Sequence, residues 1–268
     1  MNALPFQTIL TTHSTHVTSQ ASLSSVIALT NTGRAASAAA AISSNADLSA
    51  GEVKDLERYL DATKSNLLFA RKVMLVEGPA ELFLIPALVR ASLGIDLERE
   101  GISVVSIYGV HFKPYSKLFR AGCLPKKCAI VADADLVPSD AVDDGDEPPE
   151  KPELTELEGP FVKVFLGATT FEREITSPRN LDFLATTATE LGAPRIAAAL
   201  SAASLADVLG EQTEEQQVVA LVGLKDAVLS TAKRFGKARF AQVAARNVGS
   251  GCELPPYIVR ALEWLRAP

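Results

Sequence analysis

Two short stretches hold the side chains best suited to chemistry. In VMLVEGPAE, Glu77 ends an apolar run and Glu81 follows four residues later. In CAIVADAD, Asp133 and Asp135 close a second apolar run. Both runs, at 73–76 and 128–132, have the length and composition of buried strands. Gly78-Pro79 breaks the first, and a proline at the first helical position loses no hydrogen bond. Glu77 is therefore expected at a strand tip and Glu81 in the next helix's first turn, where the helix dipole favours negative charge. Residues i and i+2 of an extended chain project to one side, so Asp133 and Asp135 can face one point.

In an open α/β sheet, ligands bind beyond the carboxyl ends of the strands. Four carboxylates converging there repel one another, and their pKa values rise unless cations neutralise them. Oxygen-only donors suit Mg²⁺ or Mn²⁺. Two such ions can clamp the attacking and leaving oxygens of a phosphodiester, so the pattern fits phosphoryl transfer. A lone Glu-Gly after a strand, or a lone Asp-x-Asp, is ordinary turn chemistry; it is the pairing of the two that points to a site.

The elements that must position these acids are legible from periodicity. Leu56, Leu60, Leu67 and Leu68 give a helical pattern over 52–70. A helix is expected over 79–91, strands at 102–107 and 161–166, and a helix at 112–120. Residues 138–160, centred on DDGDEPPEKPE, read as a solvated connector. Helices follow at 181–191, 194–203, 214–235 and 256–266. The N-terminal FQTILTTHSTHV reads as a strand at 7–10 running into a polar turn, and the Ala/Ser-rich 33–50 as helix and loop. Strands alternating with helices predict an α/β fold, a mostly parallel sheet flanked by helices with an additional α-helical subdomain.

Composition sets outer limits. The chain has 268 residues, 47% of them hydrophobic, and a net charge of −6. No apolar run is long enough to cross a bilayer, so no membrane is expected as a partner. The N-terminus lacks a signal peptide's basic region, which makes a cytoplasmic location the expectation. Cys123, Cys128 and Cys252 are too few for a disulfide framework and read as free thiols. No G-x-x-x-x-G-K-[ST] loop is present.

The glutamate motif VMLVEGPAE and aspartate motif CAIVADAD together resemble the Toprim domain of topoisomerases, primases and nucleases. That resemblance implies metal-binding and acid–base roles for Glu77, Asp133 and Asp135. LDATKSNLLFARKVMLVEGPAELFLIPAL resembles the junction between ATPase and Toprim in the OLD (overcoming lysogenization defect) family of ATP-driven, metal-dependent nucleases. The resemblance implies that Glu81 is a further ligand, as is Glu172 in its Thr170-Phe171-Glu172 context. Glu174 joins them if its segment is extended. FQTILTTHSTHV resembles the end of an ABC-type ATPase core, with His13 as the switch histidine. His13 is expected to be inactive in a chain that starts mid-strand and lacks the rest of a nucleotide site. On this reading 1–50 is the residual end of an ATPase domain, 51–180 the Toprim domain, 181–235 a helical insertion and 236–268 a return to the core.

Between Lys225 and Arg246 the charge reverses, with Lys233, Arg234, Lys237 and Arg239 against one acid, Asp226. These residues could line a DNA path, since cations on phosphates release counterions, or form a solvated helix face. KRFGKARFAQ resembles an OLD segment whose lysine approaches the active site, which implies Lys237, with Lys233 as rival. Arg71 and Lys72 sit at the wrong end of the first core strand. His111 is expected to be structural or near the groove. The function implied is DNA cleavage by two divalent cations, Mg²⁺ or Mn²⁺. ATP would be needed only by the full-length protein, and a homodimer would form through its ATPase domain. The alternative is a non-catalytic Toprim-like module that binds nucleic acid or regulates.

Overall fold

The computed structural model describes residues 8–33, 36–60, 65–109, 111–135, 151–209 and 214–268. Helix α1 (Thr15–Gln20) leads into an antiparallel hairpin of β1 (Ile27–Gly33) and β2 (Ala36–Ala41). Next come α2 (Ile42–Asn45), α3 (Ala50–Tyr59) and α4 (Asn66–Phe69). Two expectations fail here. Residues 8–14 form no helix or strand, and Gln7 lies outside the described residues. Residues 36–41 form a strand, not a helix. Pairing with β1 overrides the helix propensity of a run that is mostly alanine. The helical pattern expected over 52–70 starts two residues early, with Ser49 and Glu52 exchanging cap hydrogen bonds, and divides into α3 and the separate α4.

The central unit runs through β3 (Lys72–Val76), α5 (Pro79–Leu93), β4 (Ile102–Ser106), α6 (Lys113–Ser116) and β5 (Cys128–Asp133). It continues with α7 (Pro152–Thr155), β6 (Val162–Gly167) and α8 (Phe171–Glu174). The helix expected over 112–120 is confined to α6 with turns after it. Most of the acidic connector falls on 136–150, outside the described residues, and its last part contains α7. Four all-parallel strands form one sheet in the order β4-β3-β5-β6. The chain leaves β3 for β4 on one side and returns to β5 on the other. The sheet therefore has a switch point between β3 and β5, where a crevice opens beyond the strand ends.

Side chains alternate across this sheet with period two. Met74, Val76, Ala129 and Val131 face a layer made from α5 and the C-terminal helices. Val73, Leu75, Cys128, Ile130 and Ala132 face Leu56, Leu67, Tyr115 and Leu124. Burial on both faces explains why these strands are continuously apolar. The C-terminal helices are α9 (Leu181–Glu190), α10 (Pro194–Leu209), α11 (Glu214–Phe235), α12 (Lys237–Asn247) and α13 (Pro256–Arg266). Phe240 and Ala244 of α12 and Leu184 of α9 share a core with Leu84 and Leu88 of α5. Each leucine fully buried this way stabilises the fold by about 1.5–3 kcal/mol. The three cysteines are buried and free. No helix among the described residues is long and apolar enough to cross a membrane.

Helix α13 lies against β5 and β6, and Gly167 sets how closely. A Cβ there would stand 3.0 Å from the Tyr257 ring and 3.3 Å from Glu174 Cγ. Gly167→Ala should therefore cost about 1–3 kcal/mol through overpacking. Gly159→Ala, with nothing within 4 Å of its Cβ, should cost little. Urea unfolding midpoints compare the two, and equal midpoints would contradict this account of the packing.

Candidate active site

Parallel register places the first two acids side by side. Val76 pairs with Val131, so Glu77 leaves β3 beside the last residues of β5. Its Oε1 accepts a hydrogen bond from the Asp133 backbone N–H at 3.1 Å. Asp133 pairs across to Gly167 at the end of β6, and the turn beyond reaches back. The Phe171 N–H donates to Asp133 Oδ2 at 3.1 Å. The tips of β3, β5 and β6 thus meet at one place through backbone donors.

Glu81 and Glu172 complete the buried set. Glu81 lies in the first turn of α5, where it accepts a hydrogen bond from the Gly78 N–H at 3.1 Å. Glu172 is 1% exposed, and its Oε1 accepts no hydrogen bond. The Lys237 ammonium, at the start of α12, stands 2.8 Å from Glu172 Oε2 as an ion pair. An unbonded buried carboxylate is costly. Lys237 supplies part of the compensation, across 65 residues of sequence.

Electrostatics follow from this crowding. Burial pushes the Asp133 carboxyl up to about 8, and the neighbouring Glu77, Glu81 and Glu172 push the same way. Glu81 rises to about 7 through burial, then through Glu172 and Glu77. Glu77 is raised mainly by burial, against the pull of the Asp133 N–H and of Lys151. Burial opposes the charge on Lys237, but Glu172, Asp133 and Glu81 more than offset it and raise its pKa.

The remaining expected residues are spread more widely. Asp135 has left the strand: its φ is 57°, and its exposed carboxylate pairs with Lys151 at 3.2 Å. The i, i+2 alternation therefore does not apply to it, although its charge still acts on Glu77. Glu174 lies on a helical turn, not an extended segment. Its Oε1 accepts from the Thr169 N–H at 2.9 Å and hydroxyl at 2.6 Å, which holds it on Thr169. Of the rival lysines, Lys237 meets the acids, while Lys233 is exposed at the end of α11. Arg234 and Arg239 are also exposed, and Arg234 lies over the Phe235 ring. His13 stacks obliquely near Phe69, which precedes β3 and so lies toward the opposite end of that strand from Glu77. Arg71 folds against Gly101 at that same end. His111 is exposed.

Three residues at the site escape a reading of the sequence. Lys151, at the end of the acidic connector, donates to the Asp133 carbonyl at 3.0 Å and to Asp135. Tyr257 of α13 is buried beneath the acids. Burial, Asp133 and Glu81 hold its phenol well above the ordinary tyrosine range. Arg173 is buried beside Glu172 and forms an ion pair with Asp226, tying α8 to α11. A basic residue in an acidic loop was the one available signal for Lys151. Nothing local marked the other two.

The donor set fits a hard divalent cation: every nearby acid offers carboxylate oxygens, and Glu172 is buried with Oε1 unpartnered. As the side chains stand, no three His, Cys, Asp or Glu among the described residues are gathered tightly enough to form a metal site. The ammonium groups of Lys151 and Lys237 stand on Asp135 and Glu172 instead.

The chain resembles known proteins in sequence and in fold. Residues 68–135 match the family model described as "Overcoming lysogenization defect protein-like, TOPRIM domain". The chain is similar to the C-terminal region of the Burkholderia pseudomallei OLD protein, with 28% identity and a TM-score of 0.53. That likeness covers 74% of this chain and 98% of the other. The C-terminal region of the Xanthomonas campestris pv. campestris OLD protein gives 27% identity and a TM-score of 0.50, covering 75% and 94%. No curated protein matches.

The raised carboxyls make the metal-free fold sensitive to pH. Folded Asp133 keeps a proton, up to about pH 8, that the unfolded chain releases in the ordinary carboxylate range. Between those limits the folded state binds more protons, so stability falls as pH rises. The melting temperature in chelator should drop across that window. Asp133→Asn should flatten the drop and be more stable than the native chain at its upper end, by about 1–3 kcal/mol. A melting temperature independent of pH would contradict the burial of these acids.

Proposed function

The chain carries the C-terminal Toprim region of an OLD-type protein, and from that premise we propose that it is a metal-dependent nuclease hydrolysing DNA phosphodiester bonds. An OLD-type Toprim region points to nucleic-acid processing, and the site supports the narrower reading. The observation that carries it is the meeting of Glu77, Asp133 and buried Glu172 at the sheet's switch point. Glu77, Glu81, Asp133, Asp135 and Glu172 would hold two Mg²⁺ or Mn²⁺ ions. When bound, those ions would make water a stronger nucleophile and stabilise the charge on the departing 3′ oxygen.

The chain's own groups do the rest. Backbone N–H groups of Asp133, Phe171 and Gly78 fix three carboxylates in place before substrate arrives. Lys237, paired with Glu172 at the edge of the acids, would stabilise charge that builds on the phosphate oxygens during attack. Tyr257 and the apolar strand ends close the floor against water. Exposed Lys233, Arg234 and Arg239, beside the start of α12, would take backbone phosphates. No side-chain nucleophile is needed.

A second reading rests on one observation: lysine ammonium groups already stand on Asp135 and Glu172. Such pairing would suit a module that binds nucleic acid without cleaving it. Plasmid DNA incubated with Mn²⁺ separates the two. The native chain should nick or linearise the plasmid. Glu77→Ala and Asp133→Ala should abolish cutting, and Lys237→Ala should slow it roughly 10²- to 10³-fold. Equal cutting by the native chain and both acid variants would sink the nuclease proposal, and DNA retention without any cutting would favour the binding module.

A further inference from the structure

Lys151 is the single base in the acidic run from Asp133 to Val162, and its ammonium closes on the site. It donates to the Asp133 carbonyl at 3.0 Å and to Asp135 Oδ2 at 3.2 Å. One cation thus links two acceptors that lie two residues apart at the end of β5. Its charge also reaches Glu77, whose carboxyl it pulls down against the effect of burial. The backbone behind this contact is anchored. The Lys151 carbonyl accepts from the Leu154 N–H at 2.8 Å and the Thr155 N–H at 3.1 Å, at the start of α7. Leu154 is buried in the core that also holds Ile130, Ala132 and Leu166, so the lysine is carried on a docked turn.

Asp135 is the acid with most need of such a hold. Glu77, Asp133 and Glu81 are largely buried and accept backbone N–H groups. Asp135 has left the strand at a φ of 57°, and its side chain is 60% exposed. An exposed side chain samples several rotamers, and a cation that recruits it must first order it. An ammonium bonded at once to the Asp133 carbonyl and the Asp135 carboxylate does that ordering in advance.

We infer that Lys151 is a positioning residue for metal binding: it clamps the Asp135 carboxylate beside Asp133 through Oδ2, so that Oδ1 meets the cation. The inference rests on the metal-dependent part of the nuclease reading and adds to it a residue that acts through a ligand. Partners that orient a ligand commonly change metal affinity 10- to 100-fold. Charge alone argues the other way, because an ammonium repels a nearby cation and its removal would tighten binding. At a carboxylate this exposed, water screens the repulsion, whereas the loss of orientation is not screened. Orientation therefore wins, and the sign of the change separates a clamp from a bystander charge.

The test reads metal affinity, not cleavage. Mn²⁺ is titrated by calorimetry into the full chain, into Lys151→Met, into Asp135→Ala and into the double variant. Methionine keeps the length and apolar stem of lysine, and melting in chelator checks that each variant is folded. Lys151→Gln takes its place in the cycle should the methionine variant not fold. Lys151→Met should bind Mn²⁺ about 10- to 100-fold more weakly than the native chain. The double variant should bind no more weakly than Asp135→Ala alone, because the clamp then has nothing to hold. Unchanged or tighter binding by Lys151→Met overturns the inference. So does a loss that adds in full to that of Asp135→Ala. Either result, with saturable Mn²⁺ binding by the native chain, rejects the clamp and leaves the nuclease reading standing. A native chain that binds no Mn²⁺ rejects that reading and the clamp with it.

Discussion

Glu77 and Asp133 are held together by the parallel pairing of β3 with β5, and that pairing forces carboxylates into a space where they repel one another. Two unit charges about 4 Å apart interact by roughly 4 kcal/mol at the effective dielectric near a protein surface. A fold of marginal stability cannot ignore such a term. Its responses are visible in the structure. Backbone N–H groups bond to Glu77, Asp133 and Glu81. Ammonium groups approach Glu172 and Asp135. Burial first, and then what repulsion remains, appear as raised carboxyl pKa values.

The rest of the architecture serves to deliver these groups. Continuous apolar strands, buried on both faces, fix the height of the strand tips. The strand order opens a crevice at the point where helices depart in opposite directions. Helix α5 brings Glu81, α8 brings Glu172, and α12 returns from far along the chain with Lys237. The Arg173–Asp226 pair then joins α8 to the long α11.

Much of this was legible because its causes are local. An apolar run ending in Glu-Gly-Pro announces a strand, a turn and a helix start, and the second run ending in Asp does the same. Those signals located Glu77, Glu81 and Asp133. Asp135 was harder, because its φ of 57° breaks the alternation that an extended chain would keep. Glu174 depended on whether 171–174 was extended or helical, and one helical turn redirected its carboxylate to Thr169. The hairpin at 27–41 was hidden because alanine favours helices until a partner strand outweighs that preference. Lys151, Arg173 and Tyr257 depend on contacts between distant segments, which no local pattern encodes. The choice between Lys233 and Lys237 was of the same kind, and the position of α12 brings Lys237 to Glu172.

Mn²⁺ binding, followed by calorimetry at neutral pH in buffers of different ionisation heat, tests most directly whether these acids exist to hold cations. Carboxyls that keep protons in the metal-free fold must release them when a cation binds. The account predicts saturable Mn²⁺ binding whose heat depends on the buffer, with proton release diminished in Asp133→Asn. The absence of saturable binding, or a heat identical in every buffer, would contradict it.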